Sequence, residues 1–334
     1  MPLRLAMLGM WHTHADGIVR QVAAHPDEFT LVGFHDPDSE LIAKRRQAWE
    51  PLVGVLRVFA DPHALVHEPI DGVVVEGRVY ENLALATIAL GAGRPVMLEK
   101  PAGDNFGDYR RLIDLARSKN LHVQMIYLFR YMSAVQEMFK RVRAGDVGHI
   151  YHYRARLPKD IDLYPEYVRD LGRYQGGMFF EMAGHVIDMM IAMLGVPRRV
   201  TPFLAHHHRD SSTKFIDNAV AVFEYADAWA TIEVPALEVA PHARRLEVFG
   251  TDGAIVIPHM GSGHLQNANL QSIEVFRRAD ADWQMLALPA QTLQIRDLRE
   301  FAAVLGGKTP DFSMEHDLAV QETLLRASGM WETC

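Results

Sequence analysis

The sequence predicts an α/β protein with an N-terminal, doubly wound parallel sheet and a C-terminal α+β domain built on a large, mainly antiparallel, open-faced sheet. Three observations predict it. Apolar runs of strand length alternate with helical patterns through residues 1–126, which is typical of a parallel sheet. From residue 127 onward, strand-like runs follow one another across short turns, as in an antiparallel sheet. The length of 334 residues suits two domains, which we place at 1–126 and 127–334.

The first domain carries six strand patterns with helical patterns between them. The strands are predicted over 3–8, 29–34, 56–59, 71–75, 95–98 and 121–126. The helices are predicted over 15–24, 40–49, a short stretch after 61–62, 82–90 and 104–119. Ligands of doubly wound sheets bind at the carboxyl ends of the strands. The residues that directly follow these strands are therefore the candidates for ligand binding.

The second domain is predicted to combine strands with a few longer helices. Strand patterns occupy 151–157, 199–206, 215–225, 229–234, 244–249, 254–257 and 271–277. Helical patterns occupy 133–144, 177–194, 292–305 and 315–330. The apolar residues of strands 219–225 and 229–234 exceed what one layer of helices can cover. We therefore expect an exposed apolar sheet face and a homodimer or homotetramer formed through it.

Composition excludes several classes of protein. Lys and Arg number 34 against 42 Asp and Glu, so the formal charge is −8, and nothing supplies the positive field of a nucleic-acid binder. The one cysteine, Cys334, excludes an internal disulfide. No apolar run approaches the ~20 residues of a membrane span, and the N-terminus lacks a signal-peptide pattern. We expect a cytoplasmic protein without a nucleic-acid or membrane partner.

The first strand–turn–helix unit carries part of a dinucleotide-binding fingerprint. Gly9 holds the first position of G-x-G-x-x-G, but Trp11 and His14 hold the other two. Asp36 ends the second strand, where a carboxylate accepts ribose hydroxyls and repels a 2′-phosphate, and no arginine stands at 37 or 38. These residues predict a Rossmann domain that takes NAD rather than NADP. An ordinary strand-to-helix turn and a polar turn at 36–38 remain the alternatives.

Two longer motifs connect the chain to a known family. Glu99-Lys100-Pro101 stands at the carboxyl end of the fifth strand, and GGMFFEMAGHVID spans 176–188. Segments 71–98 and 130–148 follow the same pattern of strands, helices and glycines. Together they resemble the glucose-fructose oxidoreductase / inositol dehydrogenase / MocA family (Gfo/Idh/MocA) over nearly the whole chain. The sequence departs from the family pattern at Glu181, which replaces an aspartate, and at 77–82, which replaces Thr-Pro-Asn-x-x-His.

The resemblance implies an NAD-dependent dehydrogenase that acts on a hydroxyl of a sugar, cyclitol or related polyol. Oxidation of an alcohol needs an acceptor for the hydride and a base for the hydroxyl proton. The family assigns the base to the lysine that is Lys100 here, and burial favours the neutral form that a base requires. The alternative is that Lys100 pairs with Glu99 or with a pyrophosphate oxygen.

The second motif supplies an acid–base group. Glu181, His185 and Asp188 stand at i, i+4 and i+7, which places them on one face of a continuous helix. A carboxylate one turn from an imidazole orients it and stabilises its charged form. We therefore predict His185 and Glu181 as catalytic residues together with Lys100. A helix-capping or buried structural role is the alternative.

Further site residues are predicted around this pair. The predicted cofactor contacts are Gly9, Met10, Trp11, His12, Asp36, Gly77, Arg78, Glu99 and Lys100. The predicted substrate contacts are Lys100, Arg130, Arg156 and Asp188, and the sequence does not separate Arg154, Tyr164 and Tyr167 from ordinary surface residues. No metal site is predicted, because the consecutive His206, His207 and His208 on a strand point to alternate faces.

Two other functions remain open. On the same scaffold, a lyase or hydrolase could use bound NAD transiently and re-reduce its product. A non-enzymatic regulator could sense a dinucleotide or a sugar. Retention of Lys100 and His185 argues against a regulator, since a sensor has no need of an acid–base pair.

Overall fold

The computed structural model describes residues 1–208, 215–239, 244–260, 270–290 and 292–331, apart from the side chains of Tyr167 and Leu270. Cys334 therefore lies outside the described residues. The chain divides into two compact units, Met1–Tyr127 with Thr292–Leu318, and Leu128–Gln291 with Ala319–Cys334. The first unit thus takes in Thr292–Leu318, a segment that the sequence-based division assigns to the second domain.

The first unit contains a five-stranded parallel sheet of order β2-β1-β3-β4-β5 among the described residues. Its strands are β1 (Leu3–Leu8), β2 (Phe29–His35), β3 (Gly72–Val75), β4 (Val96–Leu98) and β5 (Val123–Met125). Leu8 pairs with both His35 and Val75, and Val75 pairs with Leu98. The predicted parallel sheet is confirmed, and four strands end at one common edge.

Helices flank this sheet, and side-chain caps start several of them. They are α1 (His14–Ala24), α2 (Ser39–Val53), α3 (Pro62–Val66), α4 (Val79–Gly91) and α5 (Phe106–Ser118). Asp38 accepts hydrogen bonds from the backbone N–H groups of Glu40 and Leu41, which caps α2. Asp61 caps α3 and Asn105 caps α5 in the same way.

The strand predicted over 56–59 is wrong. In the structure Val58 forms a single bridge with Phe34, and the side chain of Arg57 pairs with Glu68 at 2.9 Å. The segment therefore touches the edge of the sheet at β2 and leaves it again. A four-residue apolar pattern does not by itself tell a strand from an edge contact.

The second unit contains an eight-stranded sheet of order β13-β12-β11-β10-β6-β9-β8-β7 among the described residues. All neighbouring pairs are antiparallel except β6 with β9, which confirms the predicted mainly antiparallel sheet. The sequence missed the last strand, because most of its side chains are exposed and its apolar alternation is weak. The strands are β6 (Ile150–Arg156), β7 (Arg199–Ala205), β8 (Asn218–Glu224), β9 (Trp229–Pro235), β10 (Arg245–Gly250), β11 (Gly253–Ile257), β12 (Leu270–Arg277) and β13 (Asp282–Pro289).

The remaining helices are α6 (Ser133–Arg143), α7 (Pro165–Leu171), α8 (Gly177–Met182), α9 (Gly184–Leu194), α10 (Leu293–Leu305) and α11 (Met314–Ala327). Helix α10 belongs to the first unit. The Gln124 side chain next to it donates to the carbonyl and the carboxylate of Asp297, at 2.9 and 2.8 Å. The ring of Phe301 lies where a side chain at Gly72 would stand. These contacts explain why this late segment packs with the first unit.

The single helix predicted over 177–194 is wrong, because the chain breaks at Ala183 between α8 and α9. Gly184 follows the break, and glycine costs a helix interior about 1 kcal/mol relative to alanine. The break falls between Glu181 and His185. The spacing in the sequence therefore does not place these two side chains on one helix face.

The two faces of the large sheet differ in character. Tyr153 on β6 is fully buried, and its hydroxyl donates to the carbonyl of Val186 on α9 at 2.7 Å. Arg154 and Arg156 alternate with Tyr153 and so lie on the other, open face. There Arg154 pairs with Glu233 at 3.4 Å. The centre of the open face is thus charged, so the predicted apolar character of this face is wrong there. Its exposed large apolar side chains include Phe203 and Trp229.

Within the described residues, the structure contains no helix with both the length and the apolar character of a membrane crossing.

Candidate active site

The common edge of the parallel sheet gathers a dense set of polar residues. Strands β1, β2, β3 and β4 all end there, and each is followed by chemically active side chains. The predicted cofactor contacts lie at this edge: Gly9, Met10, Trp11, His12, Asp36, Gly77, Arg78, Glu99 and Lys100. Such an edge is where doubly wound sheets bind their ligands.

Gly9 permits the close approach of two loops at this edge. Its φ is +82°, a conformation that side-chain-bearing residues rarely adopt. A Cβ at Gly9 would lie 2.2 Å from the backbone nitrogen of Gly77 and 2.3 Å from its Cα. The first fingerprint position therefore needs glycine, because the turn after β1 packs directly on the loop after β3.

Hydrogen bonds hold the rest of this turn. Nε of Arg45 on α2 donates to the carbonyl of Met10 at 2.7 Å, and Nη2 donates to the carbonyl of Trp11 at 3.1 Å. The backbone N–H groups of Trp11 and His12 both donate to the carbonyl of Glu76 at 3.0 Å. The sequence analysis missed Arg45, since a helical arginine more than 30 residues away carries no local signal.

The end of β2 combines carboxylates with an arginine. Asp36 is 4% exposed and accepts hydrogen bonds from the N–H groups of Met10 at 2.7 Å and Asp38 at 2.9 Å. Nη2 of Arg78, in the loop after β3, donates to Asp38 at 2.9 Å. An arginine therefore does reach this position, although none stands beside Asp36 in the sequence.

A buried acid–base cluster lies at the ends of β1, β3 and β4. Glu76 and Glu99 are fully buried, and His12 and Lys100 are nearly so. Nδ1 of His12 lies 3.6 Å from Glu76 and 3.5 Å from Glu99. On the far side of Glu99, Nδ1 of His14 lies 2.9 Å from Oε2, and Nζ of Lys100 lies 3.9 Å from Oε1. The sequence analysis missed Glu76, whose signal is a carboxylate directly after an entirely apolar strand.

The two carboxyl groups of this cluster titrate in opposite directions. Burial raises the pKa of Glu76 well above its usual range, and the nearby charge of Glu99 raises it further. Burial acts against ionisation of Glu99 as well, but His12, His14 and Lys100 outweigh it and lower the pKa of Glu99. The surroundings of Glu76 therefore favour its protonated form, and those of Glu99 favour its ionised form.

The same cluster contains donor atoms of the kind that bind divalent cations. Ligand atoms of His12, His14 and Glu99 lie within 4.8 Å of one another. In the structure, however, the backbone N–H of His14 donates to Nδ1 of His12 at 3.2 Å. Nδ1 of His14 is hydrogen-bonded to Glu99. These donor atoms thus already serve a hydrogen-bond network.

The predicted catalytic residues of the second unit lie beside a short turn. His185 and Glu181 are each 3% exposed. The ring of His185 stacks on Phe129, with centroids 4.3 Å apart and an interplanar angle of 16°. The next residue, Arg130, donates to Asp188 through Nε at 3.1 Å and Nη2 at 2.5 Å. This buried ion pair fastens the turn Leu128–Tyr131 to α9, and so holds Phe129 against the imidazole.

The predicted substrate residues separate into two groups. Arg130 and Asp188 lie next to His185 but bind each other. Arg156 lies on the open face of the sheet, where it pairs with Glu238 and, at 3.7 Å, with Glu233. The structure therefore does not bring Arg156 together with His185.

Three residues outside the motifs, Arg244, Tyr164 and Lys159, form a series of contacts that begins at the ring of Phe129. Cζ of Arg244 lies 5.7 Å from that ring, and burial lowers the pKa of Arg244. The charge of Arg244 interacts with Tyr164, over whose ring Nζ of Lys159 lies at 4.0 Å. Arg244 and Lys159 carried no sequence signal, because neither belongs to a motif.

The three consecutive histidines surround one buried carboxylate. The backbone N–H groups of His207 and His208 donate to Asp217 at 2.8 and 3.0 Å. Nδ1 of His206 lies 2.9 Å from the same carboxylate, and the ring of His207 contacts Asn218. These interactions thus join the residues that follow β7 to those that precede and begin β8.

Comparison with known families gives two matches. Residues 3–127 match the model described as the oxidoreductase family with an NAD-binding Rossmann fold. Residues 135–256 match the model described as the GFO/IDH/MocA C-terminal domain.

Curated relatives match most of the chain at low identity. The scyllo-inositol 2-dehydrogenase (NAD(+)) of Bacillus subtilis is 24% identical over 323 residues, which are 92% of this chain and 88% of that protein. The myo-inositol 2-dehydrogenase of Thermotoga maritima is 25% identical over 226 residues, 65% of each chain.

Solved structures share the fold. A Desulfitobacterium hafniense protein described as an NADPH-dependent oxidoreductase superposes with a TM-score of 0.82 at 15% identity, over 98% of this chain and 95% of that one. An NAD binding oxidoreductase from Klebsiella pneumoniae gives 0.81 at 17% identity, over 99% and 97%.

Proposed function

The chain belongs to the Gfo/Idh/MocA family of oxidoreductases, with an NAD-binding Rossmann domain at its N-terminus, and from this premise we propose that it is a dehydrogenase that transfers a hydride between NAD and a hydroxyl of a sugar, cyclitol or related polyol. The inositol dehydrogenases among its relatives support the substrate class. The observation that carries the proposal is Lys100, a lysine only 2% exposed at the carboxyl end of β4.

The residues at the common strand edge fit a dinucleotide. The close packing of Gly9 on Gly77 leaves the turn no room for a side chain, and the N-terminus of α1 follows, where pyrophosphates bind. Asp36 stands where adenosine ribose hydroxyls are recognised. NAD bound here supplies the hydride acceptor. We favour NAD over NADP because Asp36 repels a 2′-phosphate and Asp38 already engages Arg78.

The protein's own residues handle the proton. The amine form of Lys100 accepts the proton of the substrate hydroxyl, and Glu99, 3.9 Å from Nζ, stabilises the ammonium that forms. The other oxygen of Glu99 contacts His14, whose side chain is 18% exposed. His14 therefore offers the proton a route to water. The raised pKa of Glu76 favours a neutral carboxyl there, which limits repulsion with the charge on Glu99.

His185 is the second catalytic residue of the proposal. It hydrogen-bonds the substrate oxygen, and its stacking on Phe129 fixes the plane of the ring. Glu181, equally buried one turn earlier in the chain, is assigned to orient the imidazole, although α8 ends between them.

The test is NADH formation by the full chain on a panel that includes myo-inositol, scyllo-inositol and neutral hexoses. The Lys100→Met variant keeps the aliphatic stem and removes the proton acceptor. We expect turnover to fall by about 10²–10⁴-fold, as for loss of a general base, while the Kd of NAD changes little. His185→Ala also lowers turnover, and the double variant loses less than the product of the two.

Three outcomes separate the alternatives. Near-wild-type turnover of Lys100→Met would contradict the mechanism. A product that forms without stoichiometric NADH would favour a lyase or hydrolase with transient oxidation. Binding of NAD without turnover of any panel member or of any sugar acid would favour a regulator.

We further propose a homodimer or homotetramer formed through the open sheet face. Phe203 is 59% and Trp229 is 64% exposed there, an unusual exposure for large apolar side chains. The charged residues at the centre of the face, Arg154, Arg156 and Glu233, would pair with the same residues of a second copy. A monomer in light scattering at micromolar concentration would contradict this assembly.

A further inference from the structure

One arginine of the second unit, unlike Arg130 and Arg245, has no carboxylate as an ion-pair partner among the described residues. Arg244 stands directly before β10, and its Nε is inaccessible to water and has no acceptor. Within the described part of the chain, no carboxylate lies within ion-pair distance of its guanidinium. By contrast, the buried Arg130 is bound on two nitrogens by Asp188, and Arg245, the next residue, pairs with Glu247 at 2.9 Å.

The position of Arg244 links it to the proposed active site. Its guanidinium lies 5.7 Å from the ring of Phe129, and that ring stacks on the imidazole of His185. Tyr164 lies within electrostatic reach of Arg244. Lys159, itself 9% exposed, lies over the ring of Tyr164. One cation thus lies near the ring that stacks on His185, and a second cation lies over the ring of Tyr164.

The Nε of Arg244 is inaccessible to water and has no acceptor among the described residues, so the half-buried guanidinium is suited to binding an anion. Burial of a charge is costly unless the charge is paired, and proteins normally pair it within the chain. For Arg244, the ring of Phe129 compensates in part through cation–π attraction, and for Lys159 the ring of Tyr164 does so. They do not use the N–H groups of the guanidinium, whose planar fork matches a carboxylate with two parallel hydrogen bonds.

We propose that Arg244 binds a carboxylate of the substrate, so that the enzyme acts on a sugar acid rather than on a neutral polyol. Lys159 raises the positive potential around that carboxylate. The inference rests on the proposed function, because one molecule must present its hydroxyl to His185 and its carboxylate to Arg244.

The experiment compares matched pairs of substrates with the full chain and NAD. D-glucuronate is paired with D-glucose, and D-galacturonate with D-galactose, while glucose 6-phosphate tests whether the anion is a phosphate instead. We expect kcat/KM to be at least about tenfold higher for each acid than for its neutral partner. Loss of one charge-assisted contact should lower affinity by about 10- to 100-fold. Arg244→Gln should therefore raise KM for the acids by this factor and leave the neutral sugars within about threefold.

Two control variants test whether the preference for sugar acids depends on Arg244 and on the shape of its guanidinium. Arg245→Gln removes an adjacent arginine that already has a carboxylate partner, so it should leave the acid preference unchanged. Arg244→Lys keeps the charge but loses the planar fork of the guanidinium. Its KM for the sugar acids should lie between those of wild type and Arg244→Gln. Thermal unfolding of each variant verifies that it folds. For a variant that does not fold, titration calorimetry of D-glucuronate into the NADH complex of Lys100→Met replaces the kinetic comparison. We expect D-glucuronate to bind this complex more tightly than D-glucose.

The outcomes distinguish this inference from the proposed function. Equal or better turnover of the neutral sugars, a preference for glucose 6-phosphate, or an equal loss on acids and neutral sugars in Arg244→Gln would overturn the carboxylate site alone. In the calorimetry, equal or weaker binding of D-glucuronate than of D-glucose would do the same. Absence of NADH formation from every acid and every neutral polyol would overturn the dehydrogenase function itself.

Discussion

The two units bury charged groups in opposite ways. At the strand ends of the first unit, Glu76, Glu99, His12, His14 and Lys100 form one network in which acids and bases face one another. In the second unit, the buried Arg130 is paired with Asp188, whereas the half-buried Arg244 has no carboxylate within ion-pair distance among the described residues. The first arrangement favours proton exchange between neighbouring groups. The second separates a structural ion pair from the arginine that we propose binds substrate.

Within the second unit, two arginines near Phe129 differ in whether they have a carboxylate partner. Arg130 and Asp188 satisfy each other and connect a turn to α9. Arg244 lies near the same ring of Phe129, but no carboxylate of the described residues pairs with it. The buried ion pair stabilises the local structure. The half-buried Arg244 is the residue that we propose binds a substrate carboxylate.

The strongest test of this contrast compares two arginine substitutions. Arg130→Met leaves Asp188 buried without its partner, and we expect the free energy of unfolding to fall by about 3–5 kcal/mol. Arg244→Met removes a cation that no carboxylate of the described residues balances. We therefore expect the free energy of unfolding to change by less than about 1 kcal/mol. Urea unfolding followed by circular dichroism measures both. Similar losses in the two variants would remove the distinction between structural and ligand-binding arginines.

A second test addresses the proton on Glu76. Because folding raises its pKa, folded Glu76 stays protonated at a pH where the unfolded chain ionises. Its contribution to stability is therefore lost as pH rises above the unfolded value of about 4.3. Glu76→Gln mimics the protonated form. We expect the variant to match wild type near pH 4 and to exceed it by about 1–3 kcal/mol in unfolding free energy at pH 8.

The control for this test is the exposed carboxylate Glu40, for which Glu40→Gln should show no such pH dependence. A difference between Glu76→Gln and wild type that stays constant with pH would mean that Glu76 is ionised in the folded protein.

The smallest expected effect concerns the cofactor. Asp36→Ala removes the carboxylate that repels a 2′-phosphate, and we expect the preference for NAD over NADP to narrow by about tenfold. Kd values for both cofactors from fluorescence titration measure it. If Arg78 binds the 2′-phosphate of NADP in the Asp36→Ala variant, adding Arg78→Ala should restore part of the preference for NAD over NADP. Tighter binding of NADP than NAD by the wild-type protein would contradict the assignment.

Much of the first unit was predictable because its signals are local. Short apolar runs that end in Gly9, Asp36 and Glu99 mark the strands and the edge where they finish, and the parallel sheet brings those ends together by its topology. The failed strand at 56–59 and the missed β13 had weak patterns, because an edge segment is only partly buried. The break at Ala183 escaped notice because helix periodicity continues through it.

The sequence by itself determined the two kinds of sheet, the family and the presence of Lys100 and His185, since these depend on periodicity and on motifs of neighbouring residues. Only the tertiary structure decided which charges are paired. Several of these pairings join segments far apart in the chain: Arg45 binds the turn after β1, Arg78 pairs with Asp38, and Glu76 lies near Glu99. The lack of a carboxylate near Arg244 among the described residues likewise depends on how distant segments fold. Charge pairing acts over a few ångströms in space and is independent of separation along the chain, so no local pattern records it.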